Sequence, residues 1–94
     1  MSTLEEIDKP GGFRTRRGRE MVILHCGSKY PCPPEDLHLR SIQYLRDRYG
    51  VPTGFSDHSI GIDSACAAVA LGASVIEKHF SFSRDLWGAD HRVS

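Results

Sequence analysis

Residues 21–58 read MVILHCGSKYPCPPEDLHLRSIQYLRDRYGVPTGFSDH, and this stretch decides the fold. It opens on Met21–Cys26, an apolar run without polar alternation, which is typical of a parallel strand buried on both faces. Prolines fill the connection that follows, and Pro34 suits the first turn of a helix that we expect to end at Tyr49. A second strand is predicted over Val51–His58. Strand, helix and strand in this order predict a parallel βαβ unit.

An apolar stripe supports the helix of this unit. Leu39, Ile42, Leu45 and Tyr49 recur at helical spacing, so their side chains share one face. Gly50 follows directly and suits the position after a helix, where the backbone adopts a left-handed conformation. The spacing therefore predicts a helix with one face packed on the sheet.

The next residues repeat the pattern. Residues 62–72 are rich in alanine and predict a helix whose small side chains allow close packing on a sheet. Val75–Phe80 then predicts a third strand. The expected fold class is α/β with a parallel sheet. Three strands and two helices are too few to close such a sheet into a barrel.

Composition excludes several classes of protein. The 94 residues carry 12 Lys and Arg against 12 Asp and Glu, and this zero net charge argues against nucleic-acid binding by bulk charge. No apolar run is long enough to cross a membrane, and residues 1–6 do not resemble a signal peptide, so we expect a cytoplasmic protein. Residues 1–20 have no helical or strand periodicity and predict a poorly structured segment. The arginines of residues 14–19 could contact phosphate, but a solvated run is favoured because no aromatic residues interleave.

The three cysteines are irregularly spaced. Cys26, Cys32 and Cys66 form no Cys-x-x-Cys pair, which argues against a zinc knuckle, a dithiol redox motif and a disulfide framework. We expect three buried or half-buried free thiols.

Polar side chains gather where the predicted strands end, the edge at which parallel α/β folds bind ligands. Side chains alternate along a strand, so residues two apart share a face. This alternation allows two imidazoles on neighbouring strands to converge on one metal ion, but from spacing alone a hydrogen-bonded polar layer is favoured. The residues concerned are Ser28 and Tyr30, Ser56 and His58, and Glu77 and His79.

Several longer motifs resemble the N-acetylneuraminate (sialic acid) synthase family, in the order in which that family has them. They cover nearly all of residues 21–94 and are specific in combination. The motifs are LHCGSKYPxPPED at residues 24–36, GFSDHSxG at 54–61, AVALGA at 68–73, EKHF at 77–80 and WGADH at 87–91.

The resemblance implies a partial TIM, or (β/α)8, barrel. Residues 21–94 would be its C-terminal third, with the sixth, seventh and eighth parallel strands and the two helices between them. Residues 1–20 would be a remnant after the fifth strand. The family condenses phosphoenolpyruvate with N-acetylmannosamine, or a related hexosamine, to a nonulosonic acid and phosphate. Its full-length members are homodimers.

The resemblance also implies a role for each gathered side chain. The metal, most simply Mn2+ although Co2+, Zn2+ or Mg2+ would suit the same ligands, would act as a Lewis acid on the aldehyde oxygen of the sugar. Three residues have a plainer alternative role: Ser28 could cap a loop, Tyr30 could form a lid, and Asp90 could belong to a turn. The implied assignments are His58 and His79 for the metal, Ser28 and Ser56 for phosphoenolpyruvate, Tyr30 and Asp90 for the sugar, and Glu77 as the catalytic carboxylate that orients a ligand or water.

The chain departs from the family in two ways. Gly27 replaces a more usual threonine, which removes one hydroxyl donor. A full barrel takes about 250 residues, so the first five strands and most of the phosphoenolpyruvate pocket are not in this sequence. We therefore expect a truncated or frame-shifted synthase fragment that is inactive alone. One piece of a split synthase, or a non-catalytic metal-binding or interaction module, would explain the same residues.

Overall fold

Three parallel strands form the centre of the chain in the computed structural model, which describes residues 2–8 and 21–94. They are β1 (Ile23–Cys26), β2 (Thr53–Asp57) and β3 (Ile76–Lys78), and they lie side by side in chain order. Both pairings are parallel. The predicted α/β class and the predicted order of elements are confirmed.

Burial differs sharply between the strands. All residues of β2 are buried, whereas those of β1 are only half-buried and β3 is partly exposed. The prediction that Met21–Cys26 is buried on both faces is therefore wrong, because β1 is an edge strand of this sheet. A central strand has neighbours on both sides, and an edge strand leaves one side open to solvent.

The first predicted helix is interrupted in the structure. A 3-10 turn over Pro34–Asp36 is followed by a break, and α2 covers only Ser41–Tyr49. The break centres on His38, whose φ of 48° is incompatible with a continuous helix. It allows the Leu37 side chain to enter the core while the Leu37 carbonyl oxygen lies 2.6 Å from His25 Nε2. The predicted end is confirmed, since Gly50 has a φ of 64° and its N–H donates to the Arg46 carbonyl.

The helices pack on one face of the sheet. The second predicted helix is confirmed as α3, Asp63–Ala70, although shorter than expected. Phe55 of β2 is fully buried and meets Ile42 of α2 and Ala68 of α3. Cys66 of α3 is exposed, so the expectation of a buried thiol is wrong there. It lies on the solvent side of a helix whose other side covers the sheet.

The opposite face of the sheet is polar at the carboxyl ends of the strands. In the register of the ladder, Cys26 pairs with Ser56 and Ser56 pairs with Glu77. Register partners in a parallel sheet point to the same face, and the neighbouring positions, including Phe55, point to the other. The hydrophobic core therefore lies on one face of the sheet. On the other face, Cys26, Ser56 and Glu77 form a row of side chains across the three strands.

Short helices lie at both ends of the described chain. In α1, Leu4–Asp8, the Thr3 and Glu6 side chains each accept a hydrogen bond from the other residue's backbone N–H, which is a capping box. Asp8 then accepts hydrogen bonds from Arg48 and Tyr49 of α2. The expectation of poor structure over residues 1–20 is therefore wrong for Leu4–Asp8. Residues 9–20, with the arginine cluster, lie outside the described residues, so for them it stays a prediction. The last helix, α4, covers Ala89–Arg92. In the described ranges no helix is both long and apolar enough to span a membrane.

Candidate active site

Three aromatic rings meet at the carboxyl ends of the strands. The Tyr30 ring stacks on the His58 imidazole with centroids 4.2 Å apart, and it meets the His79 imidazole edge-on at 5.7 Å. The centroids of the two imidazoles are 5.4 Å apart. Tyr30 comes from the loop after β1, His58 follows β2 and His79 follows β3. The convergence of the two histidines expected from strand alternation is what the fold produces.

The His58 ring is held by the loop that follows β1. His58 Nδ1 donates a 2.6 Å hydrogen bond to the Gly27 carbonyl oxygen, and Cys26 Sγ lies 3.4 Å from the same nitrogen. The backbone N–H of Cys32 donates to the His58 carbonyl at 2.9 Å. With Nδ1 as a donor, the neutral imidazole keeps an unprotonated Nε2, the form in which histidine binds metals. This imidazole, 7% exposed, is fixed from two sides.

A serine and a carboxylate are joined beside the rings. Ser56 Oγ donates a 2.6 Å hydrogen bond to Glu77 Oε1, across the register pair that links β2 to β3. Ser56 is buried and Glu77 is exposed. The hydroxyl proton is thus engaged by Glu77, and Ser56 could donate to a substrate oxygen only by releasing that carboxylate.

Asp90 approaches the cluster from the C-terminal helix. Its Oδ1 lies 3.8 Å from His79 Nε2, and its side chain is 65% exposed. The carboxylate is therefore near the imidazole but still open to solvent. It can accept hydrogen bonds from a ligand that enters from this side.

The surroundings of Tyr30 favour its protonated phenol. Desolvation raises the pKa of Tyr30, and Coulombic interactions with Cys26, Asp90 and Glu77 raise it further, in that order. Below this raised pKa the hydroxyl carries its proton and can donate a hydrogen bond. The charge effects also place Asp90 and Glu77 within electrostatic reach of the same phenol.

Ser28 is not brought into this cluster. Its side chain is exposed, and within the described part of the chain no hydrogen bond joins it to the rings, to Ser56 or to Glu77. The next residue, Lys29, forms a 2.6 Å ion pair with Asp36, and the Lys29 side chain is 66% exposed. The hydrogen bond and charge of Lys29 lower the pKa of Asp36, and those of Asp36 raise the pKa of Lys29.

Sequence reasoning missed several groups that shape the site. Strand alternation places Cys26 on the same face as Ser28, and this signal could have indicated its contact with His58. The Gly27 carbonyl and the pair of Asp57 with Lys78 gave no such signal, because their roles depend on a loop path and on a cross-strand register. Both are long-range features that a local pattern does not contain.

The separation of the two imidazoles is close to that of a pair sharing a divalent ion. With metal–nitrogen bonds of about 2.1 Å and an angle of about 90–110° at the ion, two bound imidazoles hold their centroids roughly 4.6–5.3 Å apart. The distance between the His58 and His79 centroids, 5.4 Å, lies just above this range. In residues 2–8 and 21–94 no group of three or more His, Cys, Asp and Glu side chains is placed to hold a metal. Any further ligands would have to be backbone, substrate or water oxygens, or groups outside these ranges.

The Cys32 side chain occupies the space that a side chain at Gly27 would need, and this leads to a stability prediction. A Cβ added at Gly27 would lie 2.5 Å from Cys32 Sγ, closer than real Cβ contacts. Gly27→Thr is therefore expected to lower the free energy of unfolding by roughly 1–3 kcal/mol, the usual cost of overpacking. Urea denaturation of the chain followed by circular dichroism measures this change.

Cys32→Ala provides the control, since it removes the sulfur that the new side chain would meet. In the Cys32→Ala background the added threonine should cost clearly less, because the two positions are in contact and their effects are coupled. An equal cost of Gly27→Thr in both backgrounds would contradict the proposed clash.

The sequence and fold also match known proteins. The NeuB family matches residues 1–94, the whole chain. The chain belongs to the NeuB family. The N,N'-diacetyllegionaminic acid synthase of Campylobacter jejuni is 39% identical over 97 residues, covering 100% of this chain and 29% of that protein. The N-acetylneuraminate-9-phosphate synthase of Drosophila melanogaster is 36% identical over 96 residues, covering 100% of this chain and 26% of that protein.

A solved structure confirms the likeness of the fold. The crystal structure of the N-acetylneuraminic acid (sialic acid) synthetase of Leptospira borgpetersenii superposes with a TM-score of 0.73 at 46% identity, covering 78% of this NeuB-family chain and 26% of that one. The chain thus spans less than a third of the length of the curated relatives it matches. The three parallel strands correspond to part of a larger synthase fold.

Proposed function

We propose that this chain carries part of the catalytic site of an N-acetylneuraminate synthase-like enzyme. That enzyme would condense phosphoenolpyruvate with N-acetylmannosamine, or a related hexosamine, to a nonulosonic acid and phosphate. The observation that carries the proposal is the meeting of Tyr30, His58 and His79 beside the hydrogen-bonded pair Ser56 and Glu77. The likeness to sialic acid and legionaminic acid synthases supports it.

We assign β1, β2 and β3 to the sixth, seventh and eighth strands of the barrel. Their order and parallel pairing agree with consecutive barrel strands. The face with Ser56 and Glu77 would be the barrel interior, and the face with Phe55 would meet the outer helices. The free thiols of Cys26, Cys32 and Cys66 agree with a reducing compartment, which supports the cytoplasm.

In this proposal His58 and His79 hold a divalent ion, with Mn2+ as the first candidate. When bound, the ion supplies Lewis-acid polarisation of the aldehyde oxygen of the open-chain sugar. The Gly27 carbonyl oxygen accepts the hydrogen bond from Nδ1–H of His58, which leaves Nε2, 3.5 Å from Ser56 Oγ, as the unprotonated nitrogen for coordination. This orientation by an outer hydrogen bond is the usual support of a metal-binding histidine.

The polar residues around the rings would bind the two substrates. Ser56 Oγ would exchange its bond to Glu77 Oε1 for one to a carboxylate or phosphate oxygen of phosphoenolpyruvate. Glu77, once released, could accept a hydrogen bond from the water that adds to the enolpyruvate C2. Tyr30 would donate from its protonated phenol to the sugar, and Asp90 would accept from sugar hydroxyl or amide groups. Ser28, exposed beside the cluster, would complete the contact to phosphoenolpyruvate.

The chain alone is expected to show no turnover. Among residues 2–8 and 21–94 both edges of the three-stranded sheet are unpaired, and the face of Ser56 and Glu77 lacks the opposite wall that a closed barrel would provide. Purified chain incubated with phosphoenolpyruvate, N-acetylmannosamine and Mn2+ should therefore release no phosphate above the background of a His58→Ala, His79→Ala control. Measurable turnover by the chain alone would contradict the inactive-fragment proposal.

The same assay tests the alternative of a split enzyme. A second polypeptide with the first five strands of a related barrel would cover the open edge of β1. Turnover that appears only after mixing would support a split synthase. Metal binding without turnover, alone or mixed, would favour a non-catalytic module.

A further inference from the structure

The last pair of residues in the β2–β3 ladder forms an ion pair with no role in the proposed function. Asp57 is fully buried, and its register partner is Lys78. Lys78 Nζ lies 3.1 Å from Asp57 Oδ2 and donates a 2.6 Å hydrogen bond to the Ser59 carbonyl. Asp57 Oδ1 accepts a 2.8 Å hydrogen bond from the Ser59 backbone N–H. The two charges thus neutralise each other, and each also forms a hydrogen bond with the backbone of Ser59.

This pair lies directly beneath the two imidazoles. Asp57 precedes His58 and Lys78 precedes His79, so strand alternation directs the pair to the face opposite the rings. The β2–β3 ladder is short and ends at this pair. The His58 carbonyl is bonded to Cys32 rather than to β3. The ion pair is therefore the last connection between the two strands before the imidazoles themselves.

We infer that Asp57 and Lys78 are positioning residues that hold the His58 and His79 imidazoles at the separation needed to share one divalent ion. Strand ends separate more readily than strand centres. The β2–β3 ladder is short, so its backbone pairing alone does little to keep the two strand ends together. Removal of Lys78 would leave the buried Asp57 carboxylate without its cation among the described residues, and an uncompensated buried charge is strongly destabilising. The inference rests on the proposed function, in which both imidazoles bind the same ion.

The test uses two variants of the full chain. Lys78→Met removes the ammonium and keeps a side chain of similar length. Asp57→Asn combined with Lys78→Met removes both charges, so that no unpaired charge is buried even if the single variant unfolds. Nuclear magnetic resonance measures the Overhauser effect between the two imidazoles, and titration with Mn2+ alone measures the broadening of their signals.

The expected result is a local change. The Overhauser effect between the imidazoles should disappear, and Mn2+ should bind roughly ten- to a hundredfold more weakly, the usual cost of losing an outer-shell support. The amide signals of β1 and α2 should stay in place. Lys78→Arg, which retains the charge, should restore the Overhauser effect. Lys29→Met is the matched control: it breaks the exposed pair with Asp36 and should change neither measurement.

Two results would overturn the inference. One is an unchanged Overhauser effect and unchanged Mn2+ affinity in both variants. The other is global unfolding of both variants, because the pair would then support the whole sheet rather than the imidazoles.

The inference and the proposed function fail separately. If Mn2+ broadens neither imidazole in the unaltered chain, the proposed metal role is wrong. The Overhauser effect requires no metal, so it still decides whether Lys78 positions the two imidazoles.

Discussion

Alanine at His58 or at His79 is expected to abolish divalent-ion binding in a complete barrel, restored by grafting residues 21–94 into a relative. Each substitution removes one of the two imidazoles that meet at the strand ends. Loss of an outer-shell support already costs about ten- to a hundredfold in affinity, and loss of a ligand should cost more. The Mn2+ affinity should therefore fall by at least about a hundredfold. This affinity is measured by titration with Mn2+, in which the electron paramagnetic resonance signal reports the concentration of free Mn2+.

His38→Asn is the matched control for this prediction. His38 is exposed, and its positive φ is one that asparagine tolerates well. The control should bind Mn2+ like the unaltered barrel. An alanine variant at either position that keeps full affinity would remove that histidine from the proposed metal site.

Truncation of Phe55 to alanine is expected to have the second large effect, on stability. Phe55 is 0% exposed, and it lies in the only core cluster of the described residues, with Ile42 and Ala68 from the two covering helices. Phe→Ala in a core typically costs about 3–5 kcal/mol. Small domains have only about 5–15 kcal/mol of stability in total. We therefore expect the urea unfolding transition to shift close to zero denaturant or to lose its cooperativity.

Phe82→Ala provides the control with the same chemical change. Phe82 is 95% exposed, so its truncation should alter the free energy of unfolding by no more than about 0.5 kcal/mol. Equal shifts of the two variants in urea denaturation would contradict the assignment of the core. Because Phe55 adjoins Ser56 on β2, its loss should also disorder the candidate site.

The first predicted helix shows where local pattern reasoning stops. Of the predicted stripe of Leu39, Ile42, Leu45 and Tyr49, the last three lie in α2 with Ile42 and Leu45 buried, whereas Leu39 precedes the helix and packs against the core from the break. The same reasoning extends the helix back to Pro34, and the structure breaks it at His38. The break depends on the buried position of the Leu37 side chain and on its carbonyl's bond to His25, and both are contacts with distant parts of the chain.

The candidate site divides in a similar way. Alternation along the strands is enough to predict that Ser56 and His58 share a face, as do Glu77 and His79. It does not predict that Tyr30 stacks on His58 while Ser28 stays outside the cluster. The path of the loop after β1 determines which of Tyr30 and Ser28 reaches the cluster. That path depends in turn on the contacts of the loop with the end of β2.

The sequence by itself determined the order of strands and helices, the class of fold and the edge of the sheet at which polar side chains gather. These properties follow from periodicity and from the conformational preferences of glycine and proline, which act over a few residues. Only the tertiary structure decided which strand is central, how far apart the two imidazoles lie and which carbonyl orients His58. Those depend on strand register and loop packing between residues far apart in the chain, and no local pattern specifies such distances.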